Sequence, residues 1–425
     1  MLKEIKFLNW KSFEDATLFI DPLTVLIGTN ASGKSNIIDG IAFLNRIIQG
    51  KELQGALDGE NGVFLDATIG AIRGGSEWAA MKPFNEFTIE ALIGENDNVD
   101  YRYSITVDTS QQVIVKSESL VMIQYIKDKP REINLFTANL SAEDIHAPVI
   151  SVFINSGYGK LGRKDLKNTL SSISQLKNYE LKPKVTAGIK AVSESLEGIF
   201  ILDPVPSLMR NYTAFSPQLS RNASNLAGML AALPEERKVK IEKSLSEYLS
   251  KLPEGEIEKV WSEPIGKFKK DAMLYCEEKW GNNKTKVIVD ARGMSDGTLR
   301  FLGIITALLT RPKETLVVIE EVDNGLHPSR AKLLIKMLKD IGKQRNIDIL
   351  ITTHNPALMD ELGIEMIPFI QVIHRSNEKG TSVITLLEDL KNLPKLLAHG
   401  SLGTLTSKGE IEKSISENGV LKDEE

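Results

Sequence analysis

The chain has a single cysteine, Cys276, among 425 residues. That excludes an intrachain disulfide and a thiolate metal cluster, and it fits a reducing compartment. No run of about 18 apolar residues occurs, so a membrane-spanning helix is not expected. Met1-Leu2-Lys3-Glu4-Ile5-Lys6 alternates charged and apolar residues and lacks the apolar centre of a signal peptide. A cytoplasmic location with no membrane partner is the resulting expectation. Internal repeats and low-complexity tracts are absent as well. A large excess of one charge is also missing, with 52 Lys and Arg against 57 Asp and Glu and a net charge of −5. There is therefore no global electrostatic case for nucleic acid, and DNA binding is left to a local basic groove. The remaining composition, 42% hydrophobic and 26% charged, is that of a globular protein long enough for more than one core.

Against this background, Gly28-Thr29-Asn30-Ala31-Ser32-Gly33-Lys34-Ser35 stands out as a match to G-x-x-x-x-G-K-[ST]. Leu23–Ile27 before it reads as a short buried strand. Asn36–Ile48 after it reads as a helix with an apolar stripe of Ile37, Ile38, Ile41, Leu44 and Ile47. Strand, glycine loop and helix N-terminus together make an anion site, because backbone N–H groups and the helix dipole converge there. Gly28, Asn30, Ala31, Ser32, Gly33, Lys34, Ser35 and Asn36 are the candidate nucleotide-binding residues. Lys34 is expected to reach the β- and γ-phosphates of ATP, and Ser35 to ligate Mg²⁺. Lys11, in the preceding turn Asn9–Phe13, lies near the nucleotide on one reading and is a solvated turn lysine on the other.

The chain before and after this loop divides by pattern. Residues 3–20 read as a β-hairpin. Phe87–Ile93, Tyr101–Val107 and Gln112–Met122 alternate apolar and polar residues, as in an antiparallel meander with one wet face. Residues 160–285 are rich in Lys, Glu and Leu at helical spacing. Leu166, Leu170, Ile173 and Leu176 suggest one helix, and Ile241, Leu245, Tyr248 and Leu249 another. The expected division is residues 1–125, a mainly helical insertion over 126–285, and residues 286–425.

The last part carries the second set of polar residues. Thr315–Ile319 is an apolar strand ending in Glu320-Glu321, and Ile347–Thr353 is another ending at His354. Ligands sit at such strand ends in parallel sheets. One of the two carboxylates is suited to hold Mg²⁺ and the other to orient and deprotonate a water, and His354 falls on the same expected edge. Ser295-Asp296-Gly297-Thr298 opens a helix over Leu299–Leu309 and is well suited to cap it.

The order and spacing of these motifs resemble the ATP-binding-cassette type of P-loop ATPase, in its RecF/SMC-like branch. The resemblance covers roughly residues 1–50 and 290–375. It makes Met294–Thr298 the signature loop, Leu316–Glu321 the Walker B strand, Asp323–His327 the D-loop and His354 the switch histidine. The fold implied is an α/β head with a mixed central sheet. The implied mechanism is head-to-tail pairing, in which Ser295 and the Gly297 backbone of one head bind the γ-phosphate held by the other. Three departures stand out. Glu320 replaces the usual aspartate, the signature reads S-D-G-T, and the Q-loop glutamine has no clear counterpart, Asp203 and Arg210 being the candidates. Within this branch the chain is similar to "AAA family" ATPases of bacterial anti-phage operons (Septu-, PARIS- and OLD-type). The chain after His354 is short and lacks a spaced acidic set, so any nuclease or toxin effector is expected to be a separate protein. The resemblance thus implies a homo-oligomeric ATPase switch with a separate effector. A RecF-like DNA repair clamp and a nucleotide-binding scaffold with little turnover are the alternatives.

Overall fold

The structure is a computed structural model that describes residues 1–59, 70–127, 129–140, 148–157, 161–252, 257–280, 285–325 and 327–418. Five parallel strands form its centre. They are Phe200–Leu202, Leu316–Ile319, Asp348–Thr352, Leu23–Ile27 and Ile370–Arg375, in that spatial order. Their largely apolar, buried residues reflect burial on both faces. Val25, Ile27, Val317 and Ile319 enter one core with the helices Asp296–Thr310 and Ala331–Arg345. Leu26, Val318 and Leu350 enter the other with the helix Lys34–Ile48.

Beyond Ile370–Arg375 the same sheet continues through Ser382–Leu386 to the hairpin Phe13–Phe19 and Leu2–Trp10. It then becomes a meander of Glu86–Asn96, Val99–Asp108, Ile114–Ile126, Lys129–Asn139, Val149–Asn155 and Leu161–Lys167. Among the described residues the sheet has 14 strands. The dry face of the meander is covered by the helix Pro183–Glu197 through Val185, Ile189, Val192 and Leu196. An aromatic cluster fixes the hairpin to the helix after the phosphate loop. Trp10 packs on Phe87 at 4.8 Å and Phe87 on Phe43 at 5.5 Å. Trp10 Nε1 also donates to the Asn36 carbonyl at 2.8 Å. Such ring pairs add about 0.5–1.5 kcal/mol each beyond their burial.

The expected α/β head, with a mixed central sheet and an antiparallel meander, is the architecture found. The region 126–285 differs from the expectation of a mainly helical insertion. The boundary at 125/126 falls inside a strand pair, with Tyr125 opposite Pro130. Leu166 lies on the strand Leu161–Lys167, while Ile173 and Leu176 belong to the short helix Ser172–Leu176. A second sheet is built on Asp271–Trp280, with Ile257–Ile265 along one edge and Thr213–Ala214 and Thr285–Asp290 along the other. Its Lys/Glu-rich strands read as helix because their charges pair across strands, as in Lys286–Glu277 at 2.7 Å and Lys286–Glu258 at 3.0 Å. The helix Glu235–Leu249 falls where the spacing predicts one, and the short helix Leu226–Ala231 precedes it. Leu326, in the expected D-loop, lies outside the described residues.

Candidate functional site

The site forms where three neighbouring parallel strands end. Leu23–Ile27 leads into the phosphate loop, Leu316–Ile319 into Glu320-Glu321, and Asp348–Thr352 toward His354. The loop's shape depends on two glycines. Gly28 has φ +149, and a Cβ there would lie 2.2 Å from the Ile373 carbonyl; Gly33 has φ +122, and its Cβ would lie 2.8 Å from Ser382 Oγ. Ser382 Oγ donates to the Ser32 carbonyl at 2.6 Å and bonds Ser12 Oγ at 2.8 Å, while Asn36 Nδ2 donates to Ser12 Oγ at 2.8 Å. These side chains brace the loop from outside. No side chain caps the first turn of the 15-residue helix Lys34–Ile48. Ser32 Oγ is buried without a hydrogen-bond partner. An uncapped helix start and an orphaned hydroxyl in one loop fit an anionic ligand.

Lys34, Ser35, Glu320 and Glu321 come together at these strand ends. Lys34 Nζ donates to the carbonyls of Gly28 and Thr29 at 2.6 and 2.9 Å, so the ammonium lies along the loop. Burial lowers its pKa despite the fields of Glu321, Glu412 and Glu320. Ser35 Oγ donates to Glu320 Oε1 at 2.7 Å, and the same oxygen receives Arg73 Nη2 at 2.8 Å. Burial would raise the Glu320 carboxyl, but the hydrogen bonds from Arg73 and Ser35 outweigh it and hold the group below its ordinary value. One hydroxyl and one carboxylate meeting beside a phosphate loop suit Mg²⁺, which is held by few protein ligands and completed by substrate phosphates. Among the described residues no larger cluster of metal-ligating side chains occurs.

Glu321 follows at φ +46, in a turn tied down on two sides. Its N–H donates to Thr352 Oγ1 at 2.8 Å. Arg300 Nη2 donates to the carbonyls of Glu320 and Glu321 at 3.1 and 3.0 Å, and Arg300 Nη1 to that of Pro204 at 2.9 Å. His354 Nδ1 stands 4.0 Å from Glu321 Oε1, and both side chains are about half exposed. A carboxylate on a locked backbone, open to water and next to an imidazole, has the layout of a positioned base.

Other candidates lie apart from this group or have different partners. Lys11 Nζ is almost fully buried and binds Asp39 Oδ2 at 2.5 Å and the Arg73 carbonyl at 2.7 Å. It is a strut between the hairpin turn, the helix and the Arg73 turn, not a solvated lysine. Ser295 and Gly297 make no hydrogen bond to residues 28–36 of their own chain among the described residues. Ser295 Oγ caps the helix Asp296–Thr310 by accepting from Thr298 N at 3.1 Å. Asp296 pairs with Arg210, so its charge is offset. Arg210 Nη1 also donates to the carbonyls of Arg292 and Met294 at 2.9 and 2.7 Å, which ties it to the Ser295 loop. Asp203 instead follows the strand beside Leu316–Ile319 and lies 3.5 Å from Arg300.

Arg73 and Arg300 escaped the motif reading. Arg300 had a usable signal, since an arginine inside the apolar run Thr298–Leu302 must find acceptors when buried. For Arg73 only the following glycine pair marked a turn, and its contact with Glu320 spans 247 positions.

Among the described residues no helix is long and apolar enough to cross a membrane. The sequence is 28% identical over 180 residues to "Bacitracin transport ATP-binding protein BcrA" of Bacillus licheniformis, covering 37% of this chain and 58% of that one. It is 35% identical over 82 residues to "ATP/GTP phosphatase" of Helicobacter pylori, covering 19% of this chain and 21% of that one. The chain thus spans less than two thirds of the length of either relative. The "SMC head domain from Thermotoga maritima" is 14% identical, with 91% of this chain and 98% of that one covered at a TM-score of 0.42. A family model described as "AAA domain, putative AbiEii toxin, Type IV TA system" matches residues 23–360. That match takes in the phosphate loop, the Ser295 loop, Glu320-Glu321 and His354, and the chain belongs to this family of AAA-type P-loop ATPases.

Proposed function

We propose that this protein binds and hydrolyses ATP with Mg²⁺, pairs head to tail, and uses the nucleotide state to control a separate effector in anti-phage defence. The observation that carries the reading is the meeting of Ser35, Glu320, Glu321 and His354 at the ends of three adjacent strands. In this reading Lys34 leaves the Gly28 and Thr29 carbonyls for the phosphates, while the loop N–H groups hold them. Ser35 and Glu320 hold Mg²⁺, which would neutralise charge on the phosphate oxygens. Glu321 orients the attacking water and takes its proton, and His354 holds that carboxylate and water in register. Arg73 gives up Glu320 and turns to the phosphates as a second cation.

Pairing is supported by the Ser295 loop. It lies at the exposed N-terminus of a 15-residue helix, and Ser295 faces solvent instead of its own phosphate loop. Phosphate lying between two helix N-termini would join two copies, and hydrolysis would weaken that joint.

Light scattering with and without ATP–Mg²⁺ tests the pairing. Wild type is expected to shift to a larger species with ATP. Ser295→Arg is expected to bind ATP normally and show no shift, because the bulky cation blocks contact between the loops. Pairing that survives in Ser295→Arg would remove the trans site. Arg73→Ala is expected to weaken ATP binding about tenfold, the scale of one lost charge-assisted hydrogen bond. Equilibrium titration checks this, and unchanged affinity would confine Arg73 to holding Glu320.

A further inference from the structure

A cleft of about 900 Å³ flanks the phosphate loop. Its lining includes Ser12, Asn36, Arg73, Trp78 and Arg375. The cleft and the loop are contiguous. Arg375 Nη2 reaches the Ala31 carbonyl at 3.5 Å, and Arg73 connects the cleft to Glu320. We propose that this cleft receives the nucleoside end of the bound nucleotide, with Trp78 as the stacking platform for a purine base. The inference rests on the ATP-binding reading above and extends it to the base.

A triphosphate seated on residues 28–35 must direct its sugar and base away from the loop, and this cleft opens beside the loop's C-terminal end. Trp78 stands in it 56% exposed, so its indole is available for contact within the cleft. Its position is built into the chain. Gly74 has φ +81, and a Cβ there would lie 2.8 Å from Trp78 Cβ, so the turn that presents Arg73 also makes room for the indole. Lys82 Nζ lies over the ring, 5.8 Å from its centroid, and is itself exposed, so a stacked base would either take the other face or displace this lysine into solvent. Lys11 is engaged with Asp39 and Lys379 with Glu14, while Arg73 and Arg375 lie on the side of the cleft that meets the loop and Glu320. Among the described residues that line the cleft, Trp78 is the aromatic one. Stacking on it depends on ring area and not on the base's hydrogen-bonding edge. ATP and GTP should bind alike, and both better than CTP or UTP.

The test compares ATP and inorganic tripolyphosphate, which lacks a nucleoside, by calorimetry on wild type, Trp78→Ala and Trp78→Phe. Trp78→Ala is expected to bind ATP about tenfold more weakly, equivalent to ~1.4 kcal/mol, and to lose the preference for ATP over CTP. Its tripolyphosphate affinity should match wild type, and Trp78→Phe should recover most of the ATP affinity. Equal ATP affinity in wild type and Trp78→Ala would overturn the proposal while leaving the ATPase reading intact. An equal loss of ATP and tripolyphosphate affinity would overturn it too, since the damage would then lie in the loop. A wild-type protein that bound tripolyphosphate and ATP with one affinity would leave the base without a site. Failure of wild type to bind either would sink the ATPase reading itself.

Discussion

Glu321→Gln is expected to lower ATP turnover by about 10²- to 10⁴-fold, the usual contribution of a positioned base, with ATP affinity preserved. The amide matches the carboxylate in size and can still hold water, but it cannot take the water's proton. The backbone that aims the side chain is untouched, because it is fixed by Thr352 Oγ1 and by Arg300 on the Glu320 and Glu321 carbonyls. The variant should therefore collect in the ATP-bound, paired state. Steady-state phosphate release together with light scattering reads both effects. Turnover near wild type would remove Glu321 from the role, and His354 would be the next candidate to examine.

The second large effect is expected at Lys34. Lys34→Ala should weaken ATP binding by about 10- to 100-fold, since it deletes a charge-assisted contact worth roughly 1.5–3 kcal/mol. The ammonium lies along the loop on the Gly28 and Thr29 carbonyls, and burial already lowers its pKa. Transfer to phosphate would exchange two neutral acceptors for anionic ones, which favours the charged form. Truncation also frees two loop carbonyls, so a thermal melt must accompany the titration. A folded variant with wild-type affinity would show that the loop N–H groups hold the phosphates without Lys34. Mutating the two residues affects different steps. Glu321→Gln separates binding from chemistry, whereas Lys34→Ala removes binding.

Much of this was legible in the sequence because the signals are local. Gly28–Ser35 encodes its own turn, since two glycines at positive φ and an uncapped helix start lie within eight positions. Leu316–Ile319 and Ile349-Leu350-Ile351 announce burial by continuous apolar runs, and Glu320 and His354 follow them. The signature helix carries its own cap in Ser295. Each of these features is decided by neighbours within a turn or a strand, so one dimension of sequence is enough.

What the tertiary structure decided depends on partners distant in the chain. Residues 126–285 resisted reading because cross-strand Lys–Glu pairs give strands a helix-like composition, and Lys129–Asn139 buries too few residues to show alternation. Arg73 reaches Glu320, Arg300 holds the turn after Leu316–Ile319, and Arg210 holds the loop before Asp296. None of these pairings follows from spacing, because only the packed sheet sets which loops meet at its edge. The sequence by itself determined that the chain has a phosphate loop, a carboxylate pair and a capped signature helix. The folded sheet decided that Ser35, Glu320, Glu321 and His354 share one edge, and that an open indole lies beside it. The physical reason is that hydrophobic patterning specifies elements locally, while the contacts between strand ends exist only after both cores have closed around the sheet.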